Sequence, residues 1–300
     1  MARLIIIGGP TATGKSDISL AVAGELNAEI INADSMQLYR GMDVGTAKLT
    51  LDERMGITHH LIDEVEVDQD LNVAWFQEKA RALIDEHLTA DRNVVVVGGT
   101  GLYIKAILDD LDFPDTNPEI RAKWEAIASQ IGAAALHEIL AEQDPAAAIA
   151  IPAQNVRKVV RALEVISITG KPFTARLPRK SSVRYPNAEQ YAFSMDRAEL
   201  DQRIHLRTNT MFEKGLVSEV ENLVTQGLRS GRTAQAAIGY SHVIRALDGE
   251  ITLSQAQDQT EIATRQYARR QLTWFEREER ITWISETSPD SRLDRILTHK

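Results

Sequence analysis

Residues 4–16, Leu-Ile-Ile-Ile-Gly-Gly-Pro-Thr-Ala-Thr-Gly-Lys-Ser, constrain the fold more than any other stretch of the chain. Leu4 to Ile7 is an apolar, β-branched run suited to a buried strand. It leads into Gly9-x-x-x-x-Gly14-Lys15-Ser16, and a helical run, Ile18 to Leu26, follows. Strand, glycine-rich turn and helix in that order form a phosphate-binding loop. Successive backbone N–H groups in a glycine-permitted turn make an anion cradle, and the following helix adds its positive end. Lys15 supplies a mobile cation for phosphate oxygens, and the Ser16 hydroxyl can ligate Mg²⁺. Gly9, Pro10, Thr11, Ala12, Thr13, Gly14, Lys15 and Ser16 are thus expected to hold phosphate. Nothing in the loop selects the phosphate compound.

The first hundred residues alternate short strands with helices, which predicts an α/β fold with a parallel sheet covered on both faces. Glu29 to Asp34 reads as a second strand ending on the polar turn Asp34-Ser35-Met36-Gln37. Residues 73–88 carry helical periodicity (Val73, Phe76, Ala80, Leu83, Ile84, Leu88). Val94 to Val97 is a buried strand opening into Gly98-Gly99-Thr100-Gly101. Ligands of such sheets sit beyond the carboxyl ends of the strands, so the three loops should face one site. From Asp112 the pattern turns wholly helical. Asn117-Pro118-Glu119 and Asp144-Pro145 are helix starts, and Val156 to Ile168 runs to a stop at Gly170. Residues 171–188 hold three prolines and five basic residues with no acid, which marks a boundary. A strand-like Gln190–Met195 precedes helices to the end, with breaks at Gly215 and Gly227. The expected organisation is a catalytic core of residues 1–112 and 186–300, interrupted by an all-helical insertion at 113–185.

Composition narrows the function. The 34 basic and 43 acidic residues give a net charge of −9, which argues against a generic DNA coat but leaves room for a local basic surface. Without cysteine there are no disulfides, thiolate zinc sites or cysteine nucleophiles. No apolar stretch approaches the ~20 residues a membrane helix needs, and the apolar start is too short for a signal peptide. A soluble, cytoplasmic protein is expected.

Asp34, at the end of the second strand and facing the phosphate loop, suits a general base or a water-mediated Mg²⁺ partner. It equally suits a turn aspartate bonded to its own backbone. The strand at 94–97 ends in glycines where a P-loop NTPase places a metal-holding acid. Arg203 and Arg207 share one helical face, so either could reach phosphate oxygens, unless that face is simply solvated. Thr264 to Phe275 combines Arg265, Arg269 and Arg270 with aromatics and no acid, a pattern for RNA backbone contact and base stacking. Trp274 and Phe275 alone fit a core equally well. Arg157, Lys158 and Arg161 make a second basic cluster, and residues 171–184 a third. His59-His60 has no partner at ligand spacing, and no metal is expected there. On these residues alone a small-molecule kinase or a nucleotide-gated RNA-binding module stays open.

The segments resemble the tRNA dimethylallyltransferases, also called tRNA isopentenyltransferases. The matches are Gly9 to Ser16, Asn32-Ala-Asp-Ser-Met-Gln37, Tyr39-Arg-Gly-Met-Asp-Val-Gly-Thr-Ala-Lys48, His59-His-Leu-Ile-Asp63 and Val97-Gly-Gly-Thr-Gly-Leu-Tyr103. Arg161-Ala-Leu-Glu-Val165, Ile238-Gly-Tyr240 and Thr264-Arg-Gln-Tyr-Ala-Arg-Arg-Gln-Leu-Thr-Trp-Phe275 continue the series in order. The resemblance implies transfer of a dimethylallyl group from dimethylallyl diphosphate to N6 of the adenosine just 3′ of the anticodon in tRNA. It implies that the P-loop grips the isoprenoid diphosphate with Mg²⁺ near Ser16, that Asp34 is the base, and that Lys15 and Arg207 stabilise the leaving diphosphate. Thr100 is expected to contact tRNA near the target base, with Asp34, Ser35, Met36 and Gln37 lining its pocket. Arg121, Arg157, Lys158 and Arg161 are expected near the RNA, with Arg265 and Arg269. The helical insertion is expected to clasp the anticodon stem-loop. A bacterial-type monomer without the zinc-finger extension of eukaryotic relatives is the implied form.

Overall fold

Six short apolar or mixed segments become the strands of one parallel sheet in a computed structural model that describes residues 2–111, 113–176 and 183–298. They are β1 (Leu4–Gly8), β2 (Glu29–Asn32), β3 (His59–His60), β4 (Val94–Val97), β5 (Glu189–Phe193) and β6 (Ile281–Ile284). Their order is β3-β2-β4-β1-β5-β6, with Leu4 opposite Val94 and Ile5 opposite Glu189. Parallel neighbours need crossovers. Helix α1 (Lys15–Leu26) returns the chain from β1 to β2, and α2 (Val73–Thr89) returns it from β3 to β4. The α/β fold with helices flanking a parallel sheet follows directly.

The pleat assigns alternate residues to opposite faces. Leu4, Ile6, Ile31, Val94 and Val96 face Phe76, Ala80 and Ile84 of α2 and Tyr103, Ile104 and Ile107 of α3 (Gly101–Leu108). Ile5, Ile7, Ile30 and Val95 face Ile18, Val22 and Ala23 of α1 and Ile296 of the last helix. Strands buried on both faces read as continuous apolar runs, which is why β1 and β4 stand out in sequence. Beyond β5 the expectation of helices to the end is corrected. Helices α7 (Arg197–Glu213), α8 (Leu216–Thr225), α9 (Tyr240–Leu247) and α10 (Leu253–Phe275) are followed by β6 and then α11 (Pro289–Thr298). The Ile-Thr-Trp-Ile of β6 is too short and too mixed for a clear period. Gly215 takes φ 98° between α7 and α8, a left-handed turn that glycine alone adopts without strain.

Residues of β1–α3 and β5–α11 belong to one unit, Met1–Leu108 with Tyr185–Lys300, and Asp109–Arg184 forms a second. The second unit contains α4 (Pro118–Gln143), α5 (Pro145–Ala150) and α6 (Val156–Thr169). Asn117 Oδ1 accepts the Glu119 and Ile120 N–H groups (3.0 and 3.1 Å), and Asp144 Oδ1 accepts that of Ala147 (3.0 Å). Gly132 breaks α4 at φ 82°, and Gly170 ends α6 at φ 65°. Leu136, Leu140, Val159, Val160 and Leu163 make the core. Inside it, fully buried Glu164 accepts from Arg121 (2.8 Å), Arg161 (2.9 Å) and the Asn117 N–H (2.9 Å). Of the basic stretch at 171–184, residues 177–182 lie outside the described residues. No helix among the described residues is long and apolar enough to cross a membrane.

Candidate active site

The turn after β1 is held from three sides. Gly14 takes φ 85°, and no side chain caps α1, so its first N–H groups are left to an anion. Thr13 Oγ1 donates to the Pro10 carbonyl (2.9 Å), and Lys15 Nζ donates to the same oxygen (2.5 Å). Arg292 Nη1 of α11 donates to the Thr13 carbonyl (3.0 Å). Gln271 of α10 accepts the Thr11 N–H (2.9 Å) and donates to the Gly99 carbonyl (2.8 Å), joining the first loop to the loop after β4.

These loops border a cleft of about 380 Å³. Thr11, Lys15 and Ser16 line it, as do Asp34, Ser35, Met36, Gln37, Gly98, Gly99 and Arg207. Gly9, Pro10, Ala12, Thr13 and Gly14 build the loop behind that wall. The Asp34 turn is rigid: Oδ1 accepts the Met36 N–H (2.9 Å), and Asn32 holds both the Asp34 N–H (3.0 Å) and its carbonyl (3.0 Å). The turn-aspartate geometry engages only one carboxylate oxygen, since Oδ2 has no hydrogen-bond partner among the described residues. Thr100 is not among the lining residues. Its Oγ1 accepts the Ser35 N–H (3.3 Å). Added Cβ atoms at Gly98, Gly99 and Gly101 would collide with Ala33 backbone, Gln271 and Trp274, which explains the run of glycines.

Arg207 Nη2 and Gln37 Nε2 both donate to the Thr46 carbonyl (3.3 and 3.2 Å). The loop bearing Thr46 is fixed by Glu219 of α8, which accepts the N–H groups of Asp43 (3.1 Å), Val44 (2.6 Å) and Gly45 (3.2 Å) and the Tyr240 hydroxyl (2.6 Å). Buried Lys48 closes the loop by donating to the Tyr39 carbonyl (2.9 Å), Asp43 (2.6 Å) and Asp63 (2.6 Å). Burial and the neighbouring Arg207 push the Lys15 ammonium down to about 7, against the pull of Asp34. Burial also lowers Arg207 from its ordinary value, and Asp34 again opposes. Tyr267 is raised to about 12 by burial and then by Asp34. The cleft thus sets two basic side chains, Lys15 and Arg207, whose charged forms burial disfavours, opposite the Asp34 carboxylate.

The structure separates the two arginines of α7. Arg207 lines the cleft, whereas Arg203 is exposed and paired with Glu199 (2.8 Å). On α10, Arg265 pairs with Glu261 (2.5 Å), Arg269 is exposed, and Arg270 lines the cleft, its guanidinium 5.8 Å from the Tyr267 ring centroid. Phe275 is core, and Trp274 packs against it. In the helical unit Arg121 and Arg161 are committed to Glu164, while Arg157 and Lys158 are exposed. The cleft is also lined by Thr46, Tyr240, Thr264, Tyr267 and Gln271, which lie in the family-like segments but had no expected site role, and by Met211 and Thr260, which lie outside them. The 260-264-267-271 spacing was the available signal, one face of a single helix. His60 does have partners, contrary to expectation: Glu29 and His87 approach it from β2 and α2, a convergence no local spacing reveals.

Fold and cleft together define a phosphate-loop α/β protein whose loop faces a fixed carboxylate and whose β4 ends in glycines. The chain belongs to the IPP transferase family, the family model matching residues 37–278. It is 53% identical over 295 residues to a tRNA dimethylallyltransferase of Thermobifida fusca, covering 97% of this chain and 92% of that one. The full-length tRNA isopentenylpyrophosphate transferase of Bacillus halodurans superposes with a TM-score of 0.71 at 39% identity, covering 99% and 94% of the two chains. A eukaryotic dimethylallyltransferase acting on tRNA shares the fold, with a TM-score of 0.80 at 24% identity and coverage of 98% and 76%.

Proposed function

We propose that this chain transfers the dimethylallyl group of dimethylallyl diphosphate to N6 of the adenosine 3′-adjacent to the anticodon of tRNA. The observation that carries this reading is the shared cleft, in which Lys15, Ser16 and Arg207 meet the Asp34 carboxylate. In the reaction the N6 lone pair forms a bond to C1 of the dimethylallyl group as the C1–O bond breaks. Diphosphate leaves with that electron pair, and the N6 proton passes to Asp34. An exocyclic adenine amine is a weak nucleophile, and a carboxylate positioned to take its proton lowers the barrier. The charge that gathers on the leaving diphosphate is met by the N–H groups at the start of α1, by Lys15 and by Arg207, in a pocket where such contacts outweigh their strength in water.

Mg²⁺ fits the donors here. It favours oxygen ligands and keeps several waters, binding through one or two protein oxygens plus substrate phosphates. Ser16 would hold it with the diphosphate, and it would neutralise part of the leaving-group charge. The imidazole-containing cluster at His60 is the wrong donor set for it.

The target base must leave the anticodon-loop stack to enter the cleft. Ser35, Met36 and Gln37 receive it, and Thr100 fixes their turn through Ser35. Exposed Arg157, Lys158 and Arg269 meet RNA phosphates, with Arg265 beside them. Arg121 and Arg161 brace the helix of the insertion that clasps the anticodon stem-loop. The enzyme acts as a cytoplasmic monomer. Incubation with dimethylallyl diphosphate, Mg²⁺ and unmodified tRNA, followed by nucleoside mass spectrometry, is expected to yield N6-dimethylallyladenosine. Absence of that nucleoside, with phosphoryl transfer from ATP to a small acceptor instead, overturns the proposal.

A further inference from the structure

Glu29, His60 and His87 converge away from the phosphate cleft, at the opposite end of β2 from Asp34. Glu29 opens β2. His60 comes from the edge strand β3, where it pairs with Ile31, and His87 from the last turn of α2. One ligating atom from each lies within 4.8 Å of the other two, so a single ion reaches all three. His60 Nε2 is 2.5 Å, and His87 Nε2 3.2 Å, from the same oxygen, Glu29 Oε2.

His87 Nδ1 donates to the Leu83 carbonyl one helical turn back (2.8 Å). A carbonyl can only accept, so this bond fixes the proton on Nδ1 and leaves Nε2, in the neutral ring, as a lone pair. That nitrogen is buried and makes no aligned hydrogen bond among the described residues. It faces a carboxylate oxygen 3.2 Å away, so an ion held between the two would give both a partner. An imidazole whose Nδ1–H is anchored on a backbone carbonyl, with Nε2 aimed at a carboxylate, is the arrangement by which proteins orient metal-ligating histidines. The remaining oxygen, Glu29 Oε1, is 3.3 Å from Arg92 Nη1, and Arg92 Nη2 also bonds Glu86 (3.0 Å). Arg92 thereby holds the carboxylate so that Oε2, and not Oε1, turns to the imidazoles.

We propose that Glu29, His60 and His87 form a binding site for a divalent cation of the Zn²⁺ class, distinct from the phosphate cleft. Two imidazoles and one carboxylate are donors suited to that class, with water completing a tetrahedron. Mg²⁺, which demands oxygen ligands, is excluded by the same chemistry. The ion ties the two-residue strand β3 to β2 and to the end of α2.

The test uses the full, untagged chain freed of metal with a chelator and titrated with Zn²⁺ and, separately, Co²⁺. The expected result is one equivalent bound, the intense visible absorption of four-coordinate Co²⁺, and a melting temperature that rises by several degrees with saturating Zn²⁺. His87 is buried, and its replacement could unfold the chain. His60→Gln and Glu29→Gln, at partly exposed positions, are therefore the informative variants, each expected to weaken Zn²⁺ at least tenfold and to abolish the Co²⁺ band. No stoichiometric uptake by the wild type, or equal uptake by both variants, overturns the proposal and leaves the triad a proton-sharing ion network.

Discussion

At Lys15 two demands on one side chain conflict. In the proposed reaction the cleft needs a cation for phosphate oxygens, yet burial and Arg207 hold the Lys15 ammonium down at about 7, with only Asp34 in opposition. A bound diphosphate restores the full charge, so binding above that pH takes up a proton. The sign follows. Affinity for diphosphate falls as pH climbs from about 7 toward the ordinary lysine value of 10.5. Over the same window the unfolded chain binds more protons than the empty folded one, so the stability of the empty protein rises with pH. Calorimetric titration with inorganic diphosphate, in buffers of different ionisation enthalpy on either side of that pH, is expected to show this uptake in the wild type. Lys15→Met should lose it, and an unchanged proton count in the variant would remove Lys15 from the cation's role. The loop that presents Lys15 was legible because its physics is local: glycine, lysine and serine at fixed spacing. The choice between Arg203 and Arg207 was not. Both sit on one helical face, and only the tertiary neighbours, Glu199 for one and Thr46 for the other, distinguish them.

At the scale of elements, α10 organises the cleft. Its one face carries Thr260, Thr264, Tyr267 and Gln271 to the cavity, while Phe275 anchors the helix in the core beneath β1. Gln271 is the joint, holding the Thr11 N–H and the Gly99 carbonyl at once. Gln271→Ala leaves both groups without that partner and is expected to cost about 1–3 kcal/mol in urea unfolding. It should also raise KM for dimethylallyl diphosphate several-fold, since the loop around Thr11 loses its brace. Unaltered stability and KM would show that other contacts position the two loops. The sequence marked this helix by its arginines and aromatics, and its cleft face joins two of them, Tyr267 and Arg270, to the polar row Thr260, Thr264 and Gln271. Strands β1, β2 and β4 were readable as apolar runs because both of their faces are buried. The two-residue β3 and the short β6 lie at the sheet edges, where half-burial leaves a mixed pattern and no usable period.

For the whole molecule, the parallel sheet sets the arrangement: every β-strand of the core ends on the same side, so loops distant in sequence meet in one cleft. Helix starts and stops within the insertion were written locally, in Asn117, Asp144 and Gly170. Its fully buried Glu164 with Arg121 and Arg161 was not, because charged residues read as surface until a fold pairs them. The account as a whole rests on the division of labour between a phosphate-gripping loop and a proton-accepting Asp34. The most direct measurement compares wild type and Asp34→Ala in single-turnover transfer to tRNA, with tRNA binding measured alongside. The account predicts at least a hundredfold loss of transfer, by the usual range of general-base contributions of about 10²–10⁴, with tRNA binding largely retained. Transfer by Asp34→Ala at near the wild-type rate would contradict it.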